Sequence, residues 1–384
     1  MKKLLFVFLV AIIAFASFNN YNVAKADQGL STKSKSAILM DAETKTVVYS
    51  SCENDRRPIA SMTKIMLLNL CFENVKNGNL NLDEQITVSN TASSMGGSQV
   101  FLEANGKYKA SDLIKSVIIA SANDASVALA ERLYGSEANC VEEMNKKCAE
   151  WHLNDTLFSN CTGLPKPTQY SSASDVAVML CNLIKHEEYF KYSNIWMDEI
   201  EHSQGRVTGL TNTNKLVKFY DGCDGGKTGY TSESGFCLAA TAKKGSLRFV
   251  SVVINAPDSK TRFSDVSNMF NYGFDNFASK MVVDSSKPID LDIKINKSKC
   301  GEIKVAPIAD VYVFGKRNQK ENVSIDFEQL TEKAPLKKGD IVGRLKVFKD
   351  NVEYQCVDVI CLHDVNEKTY FDYILDVSNN WSFV

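Results

Sequence analysis

The chain has 384 residues, with 44 Lys and Arg against 46 Asp and Glu and a formal charge of −2. This near balance, with no broad basic field, argues against nucleic acid as a partner, and the length suffices for two domains. The eleven cysteines are scattered and form no C-x-x-C pair, which speaks against a zinc site or a disulfide-framed miniprotein. They are expected to be buried small hydrophobes, with one or two disulfides left open.

At the N-terminus Lys2 and Lys3 precede an apolar run over residues 4–18, and Ala24-Lys25-Ala26 supplies the small-x-small pattern of a signal-peptidase site. The run is short for a bilayer span, which takes about 20 residues. Residues 1–26 are therefore read as a signal peptide and the protein as exported, with an uncleaved anchor as the alternative. Residues 36–50 read as a hairpin around Asp41-Ala42-Glu43-Thr44. Ser61 opens an apolar helical run to Leu70. Ser111 and Asp112 are cap candidates for a second helix carrying Leu113, Ile114, Val117 and Ile118. Further helices are expected at 126–134, 141–152 and 174–186. Residues 236–241 and 247–254 read as adjacent strands, and 264–277 as helix.

The first domain, 27–280, is thus helix-rich, with strands at its beginning and end that can pair into one antiparallel sheet. Beyond it the pattern alternates: Ile289, Leu291, Ile293 and Ile295, then Val311 and Val313, then Val323, Ile325 and Phe327. Residues 281–384 are expected to form a separate all-β domain without a long helix.

Three short motifs carry the chemistry. In Ser61-Met62-Thr63-Lys64, residues three apart on a helix share a face, so the lysine amine can lie beside the serine hydroxyl. A serine needs a base to become a nucleophile, and a lysine serves once burial and neighbouring cations favour its neutral form. In Ser121-Ala122-Asn123, where a helix meets a loop, a hydroxyl and an amide can both face a cleft. Lys227-Thr228-Gly229, after Gly225-Gly226 and before a strand-like stretch, would offer a row of polar groups on an edge strand along which a peptide could add. Each motif alone is as readily a cap, a turn or a solvated lysine. The ordered set is the one shared by penicillin-binding proteins and β-lactamases.

On these residues the chain resembles the low-molecular-weight penicillin-binding proteins, the D-Ala-D-Ala carboxypeptidases of peptidase family S11. The stretch from Arg57 to Met66, Ser121-Ala122-Asn123-Asp124-Ala125, and Asp221-Gly222 through Tyr230-Thr231 are similar to the family's three motif regions. Asn154-Asp155-Thr156-x-Phe158, Thr162-Gly163-Leu164 and Tyr170-Ser171-Ser172 are similar to its landmarks between them. Lys337-Lys338-Gly339-Asp340-x-Val342-Gly343 carries a looser likeness in the C-terminal domain.

The resemblance implies an α+β fold, a penicillin-binding/β-lactamase-like serine peptidase domain followed by a small all-β domain. It also implies removal of the terminal D-alanine from peptidoglycan stem peptides, inhibition by β-lactams, and no cofactor or metal. Ser61 would attack, Lys64 accept its proton, and Ser121 and Lys227 relay a proton to the leaving D-alanine. Asn123 and Gly229 would bind the peptide, Thr228 and Arg262 the terminal carboxylate, and the backbone N–H groups of Ser61 and Tyr230 the oxyanion. Family members often end in an amphipathic helix held to the membrane; none is expected at residues 379–384 here, which leaves membrane association open.

The nearest rival is a serine β-lactamase. Glu150-Trp151-His152-Leu153-Asn154 fits the Glu-x-x-Leu-Asn pattern of class A enzymes but follows a helical run and precedes a carboxypeptidase landmark. A non-catalytic wall-binding or β-lactam-sensing protein is a second rival, against which all seven motif positions are intact. His152, His186, His202 and His363 form no ligand pair for a metallopeptidase.

Overall fold

The computed structural model describes residues 29–291, 293–299 and 303–381; the expected signal peptide lies outside them. The chain divides into two units, one ending at Asp275 and the other beginning at Asn276.

The first unit is built on a five-stranded antiparallel sheet in the order Val47–Ser51, Ser36–Asp41, Leu247–Ala256, Gly235–Lys244, Cys223–Thr231. The first and last parts of the domain do pair, Ile38 opposite Val252. Ser36–Asp41 is buried at every position, as a strand covered on both faces must be. On one face Ala173–Leu183 packs against the strands and against helix Lys64–Lys76. On the other, helix Ser259–Asn276 lies so close that a Cβ on Gly273 would meet the Phe249 ring at 2.9 Å. That helix also fastens the residues leading into the first strand, because Asp265 accepts hydrogen bonds from Lys33 N, Ser34 N and Ser34 Oγ.

Among the described residues serine side chains cap three helices, the first being Ser89 ahead of the short Asn90–Ser93. Ser136 opens Glu137–Glu150 and Ser172 opens Ala173–Leu183. The expected caps Ser111 and Asp112 fall inside the first turn instead, since the helix starts at Ala110 behind Lys109 with no side-chain cap. The first motif also differs from expectation: Ala60–Thr63 is a tight 3-10 turn, and the α-helix proper runs Lys64–Lys76.

The second unit has a four-stranded sheet ordered Val305–Pro307, Val352–Cys361, Ile341–Lys349, Val323–Gln329, and a pair Phe277–Val283 with Val311–Lys316. Among the described residues the alternation at Ile289 to Ile295 yields no strand: Ile289 makes a single bridge to Val305, and Ile293 is buried in the core.

Contrary to expectation, this unit ends in a helix, Tyr370–Trp381. Asp372 in its first turn reaches back to accept from Thr369 N–H and Oγ–H, and its acidic residues pair with Lys299 and Lys368. Tyr370, Phe371, Ile374, Leu375 and Val377 face outward, each at least 47% exposed. No helix among the described residues is long and apolar enough to cross a membrane. The ten described cysteines are free thiols, eight buried and two, Cys52 and Cys356, exposed.

Candidate active site

Ile59 and Met62 anchor the 3-10 turn in the core, which leaves Ser61 between them half-buried. Ala60, just before it, takes a left-handed conformation (φ 47°), a strain that persists only where surroundings enforce it. Two glycines supply the enforcement. A Cβ on Gly163 would meet Ala60 O at 2.0 Å, and one on Gly229 would meet Ile59 O at 2.6 Å and Ser61 N at 3.2 Å. Only residues without a side chain let these two backbones close on the serine.

Lys64, the first residue of the α-helix, is wholly buried. Its Nζ donates to Ser61 Oγ at 3.1 Å, to Asn123 Oδ1 at 2.7 Å and to Thr162 O at 2.5 Å. Burial lowers its pKa from the usual 10.5 to about 7, with Cys161 and Asp124 opposing. A lysine so placed is partly neutral at neutral pH.

The second motif occupies the joint between helices Ala110–Ile119 and Asn123–Tyr134. Ser121 is buried there with φ 63°, two residues before the amide that Lys64 touches. A loop clamps the joint from outside: Asn123 donates through Nδ2 to Gly96 O and through N to Ser98 O, both at 2.7 Å. Asp124 accepts from Val100 N and Leu102 N at 3.1 Å.

The third motif lies on the edge strand Cys223–Thr231, as expected. Tyr189 Oη accepts from Gly226 N at 2.8 Å and holds the strand just ahead of Lys227. Lys227 is buried, and its pKa falls well below the ordinary lysine value, first through burial and then through the charges of Lys64 and Arg262. Thr228 donates its hydroxyl to Thr213 Oγ1 at 2.8 Å. Arg262 donates to Gly229 O and Cys237 O at 3.2 and 3.3 Å, while its buried Nε has no partner among the described residues. Tyr230 is exposed, its ring 4.4 Å from that of Phe236.

Hydrogen bonds therefore join Ser61, Lys64 and Asn123 directly, charge couples Lys64, Lys227 and Arg262, and Ser121 is carried in beside Asn123. Thr228 and Arg262 are not hydrogen-bonded to one another; each is held by its own protein partner, Thr213 for the first and the carbonyls of Gly229 and Cys237 for the second. The sequence did not signal the Thr162 carbonyl, Thr213 or Tyr189 as partners of the site. Glu150 closes its helix, 60% exposed and paired with Lys147 at 2.9 Å.

Residues 22–258 match the D-alanyl-D-alanine carboxypeptidase family, and residues 277–367 match the penicillin-binding protein 5 C-terminal domain. The chain is 34% identical over 388 residues to the D-alanyl-D-alanine carboxypeptidase DacF of Bacillus subtilis, covering 100% of this chain and 99% of that protein. Among solved structures it is similar to penicillin binding protein 5 from Haemophilus influenzae (27% identity, TM-score 0.70, covering 89% of this chain and 100% of that one). It is also similar to penicillin-binding protein D2 from Listeria monocytogenes in an ampicillin-bound form (27%, TM-score 0.57, 64% of this chain and 99% of that one). With Ser61, Lys64 and Asn123 in direct contact and Lys227 beside them, the chain belongs to the D-alanyl-D-alanine carboxypeptidase family.

Proposed function

We propose that the protein removes the terminal D-alanine from peptidoglycan stem peptides ending in D-Ala-D-Ala, through an acyl-enzyme on Ser61. The observation that carries this reading is the buried Lys64 amine, 3.1 Å from Ser61 Oγ and titrating at about 7. In its neutral form the amine keeps Asn123 and Thr162 as acceptors and turns its lone pair to the serine, whose O–H then donates. As Ser61 Oγ attacks the penultimate carbonyl, the proton passes to Lys64. The oxyanion lies at the N–H groups of Ser61 and Tyr230, consistent with Gly229 pressed against Ser61 N. Collapse breaks the C–N bond, and a proton delivered through Ser121 and Lys227 lets the amine leave as free D-alanine. Water then hydrolyses the ester and restores Ser61. Asn123 orients the peptide, and Thr228 and Arg262 hold the carboxylate, which gives the unpartnered Nε its acceptor.

β-Lactams acylate the same serine, a reading supported by the ampicillin-bound relative. Export rests on the N-terminal residues, and the outward apolar face of Tyr370–Trp381 supports seating of the protein on a membrane surface rather than across it. Incubating the protein with diacetyl-Lys-D-Ala-D-Ala should release D-alanine. Ser61→Ala should abolish both that release and covalent labelling by a fluorescent penicillin while leaving circular dichroism unchanged. Labelling that survives on another residue overturns the assignment.

A further inference from the structure

The floor of the site is a turn over residues 159–163 in which each backbone amide is bound by a side chain. Gln169 Oε1 accepts from Ser159 N and Asn160 N at 2.9 and 3.0 Å. Asn160 Oδ1 accepts from Thr162 N at 3.2 Å and Gly163 N at 2.7 Å. The amide between them, Cys161 N, donates to Glu137 Oε1 at 3.0 Å, and the Cys161 thiol donates to the same oxygen at 3.4 Å. Glu137 is thus the one charged acceptor in the set, and it comes from a different element, the first turn of helix Glu137–Glu150. There the helix N-terminus favours a carboxylate, and charged acceptors make the stronger bonds. Burial pushes the Cys161 thiol well up, so it stays protonated and keeps donating.

What Glu137 holds is not a remote loop. The next carbonyl, Thr162 O, receives Lys64 Nζ at 2.5 Å. The residue after it, Gly163, has no room to move toward the nucleophile, since even a Cβ there would reach Ser61 N at 2.8 Å. Any shift at Cys161 is passed to both partners of the proton transfer.

We propose that Glu137 is a positioning residue for that transfer, fixing the 159–163 turn so that the Thr162 carbonyl holds Lys64 against Ser61. The inference rests on the acyl-enzyme reading above and adds a residue that touches neither substrate nor reacting atoms. Lys64 is faced by Cys161 and Asp124, and Lys227 feels its charge. Because burial is what lowers its basicity, loosening the floor and admitting water should raise its pKa.

The test is the rate constant of acylation by a fluorescent penicillin, followed from pH about 5.5 to about 8.5 in the full chain, Glu137→Ala and Glu137→Gln. Glu137→Ala should slow acylation by about 10- to 100-fold, the range a displacement of around 1 Å costs, and should move the acidic limb to higher pH. Glu137→Gln keeps an oxygen for Cys161 N–H and should stay within about threefold of the parent, the loss expected when a charged acceptor becomes neutral. The exponential rate constant is independent of labelling amplitude, so a partly misfolded variant still gives the answer. Unchanged rate and limb in Glu137→Ala, or an equal fall in Glu137→Gln, overturns the proposal. A parent chain that is not labelled on Ser61 points instead to failure of the acyl-enzyme reading.

Discussion

Replacing Lys64 by methionine separates the energetic cost of the buried amine from its catalytic use. In the fold this lysine titrates at about 7, against 10.5 for an ordinary one. The depressed value means that between these pH values the unfolded chain binds a proton that the folded chain does not. Stability from this group is therefore complete above 10.5 and is lost as the pH falls toward 7. At 1.36 kcal/mol per pKa unit the loss is roughly 4 kcal/mol at pH 7 and about 2 kcal/mol at pH 9. Methionine fills a similar volume and removes that cost, but it also strips Asn123 Oδ1 and Thr162 O of a donor, roughly 1–3 kcal/mol each and insensitive to pH in this range. The absolute change in stability therefore decides nothing, whereas its slope does. Urea unfolding of both proteins should show the advantage of Lys64→Met over the parent shrinking by about 2 kcal/mol from pH 7 to pH 9. A gap that stays flat means that Lys64 remains protonated in the fold, and the case for it as the resting base fails.

Three further outcomes follow from the same geometry. Gly229→Ala should cut penicillin acylation at least about 100-fold, because its Cβ would lie 2.6 Å from Ile59 O and force the edge strand off Ser61; parent-like acylation shows that the strand can yield. A chain ended at Asp275, where the first unit closes, should still release D-alanine from a small tripeptide, since all seven motif positions precede it; complete inactivity of a truncated chain that retains its circular dichroism shows a contribution from the second unit. After a penicillin pulse the acyl-enzyme should persist for minutes by intact mass and be unaffected by Glu150→Gln, that carboxylate being exposed and paired with Lys147; rapid clearance that the substitution blocks restores the β-lactamase reading.

The motifs were legible because they are side-chain chemistry at fixed spacing. Ser61 and Lys64 meet by helical geometry, and Lys227 lies on an edge strand because glycines precede a β-rich run. The rest depends on atoms and angles for which the one-letter code has no symbol. The Thr162 carbonyl that receives Lys64 is backbone, and the left-handed φ of Ala60 and Ser121 is imposed by neighbours rather than by those residue types. The terminal helix was missed for a different reason. Its apolar residues cover more than half of its circumference, and by residue 379, where the terminal residues begin to read as polar, Tyr370–Trp381 is already ending. The alternation at Ile289 to Ile295 misled in the opposite direction, because a period of two buries one face of an irregular segment as readily as that of a strand.

The thiols of this protein have a practical consequence. Burial pushes seven of them up, Cys71, Cys140, Cys148, Cys161, Cys181, Cys223 and Cys237, and a protonated, inaccessible sulfur reacts slowly with alkylating reagents. Cys52 in the first unit and Cys356 in the second are exposed. Brief maleimide treatment of the native protein should therefore mark these two ahead of the eight buried thiols. With one dye on each unit, the efficiency of energy transfer would measure the distance between the two units directly.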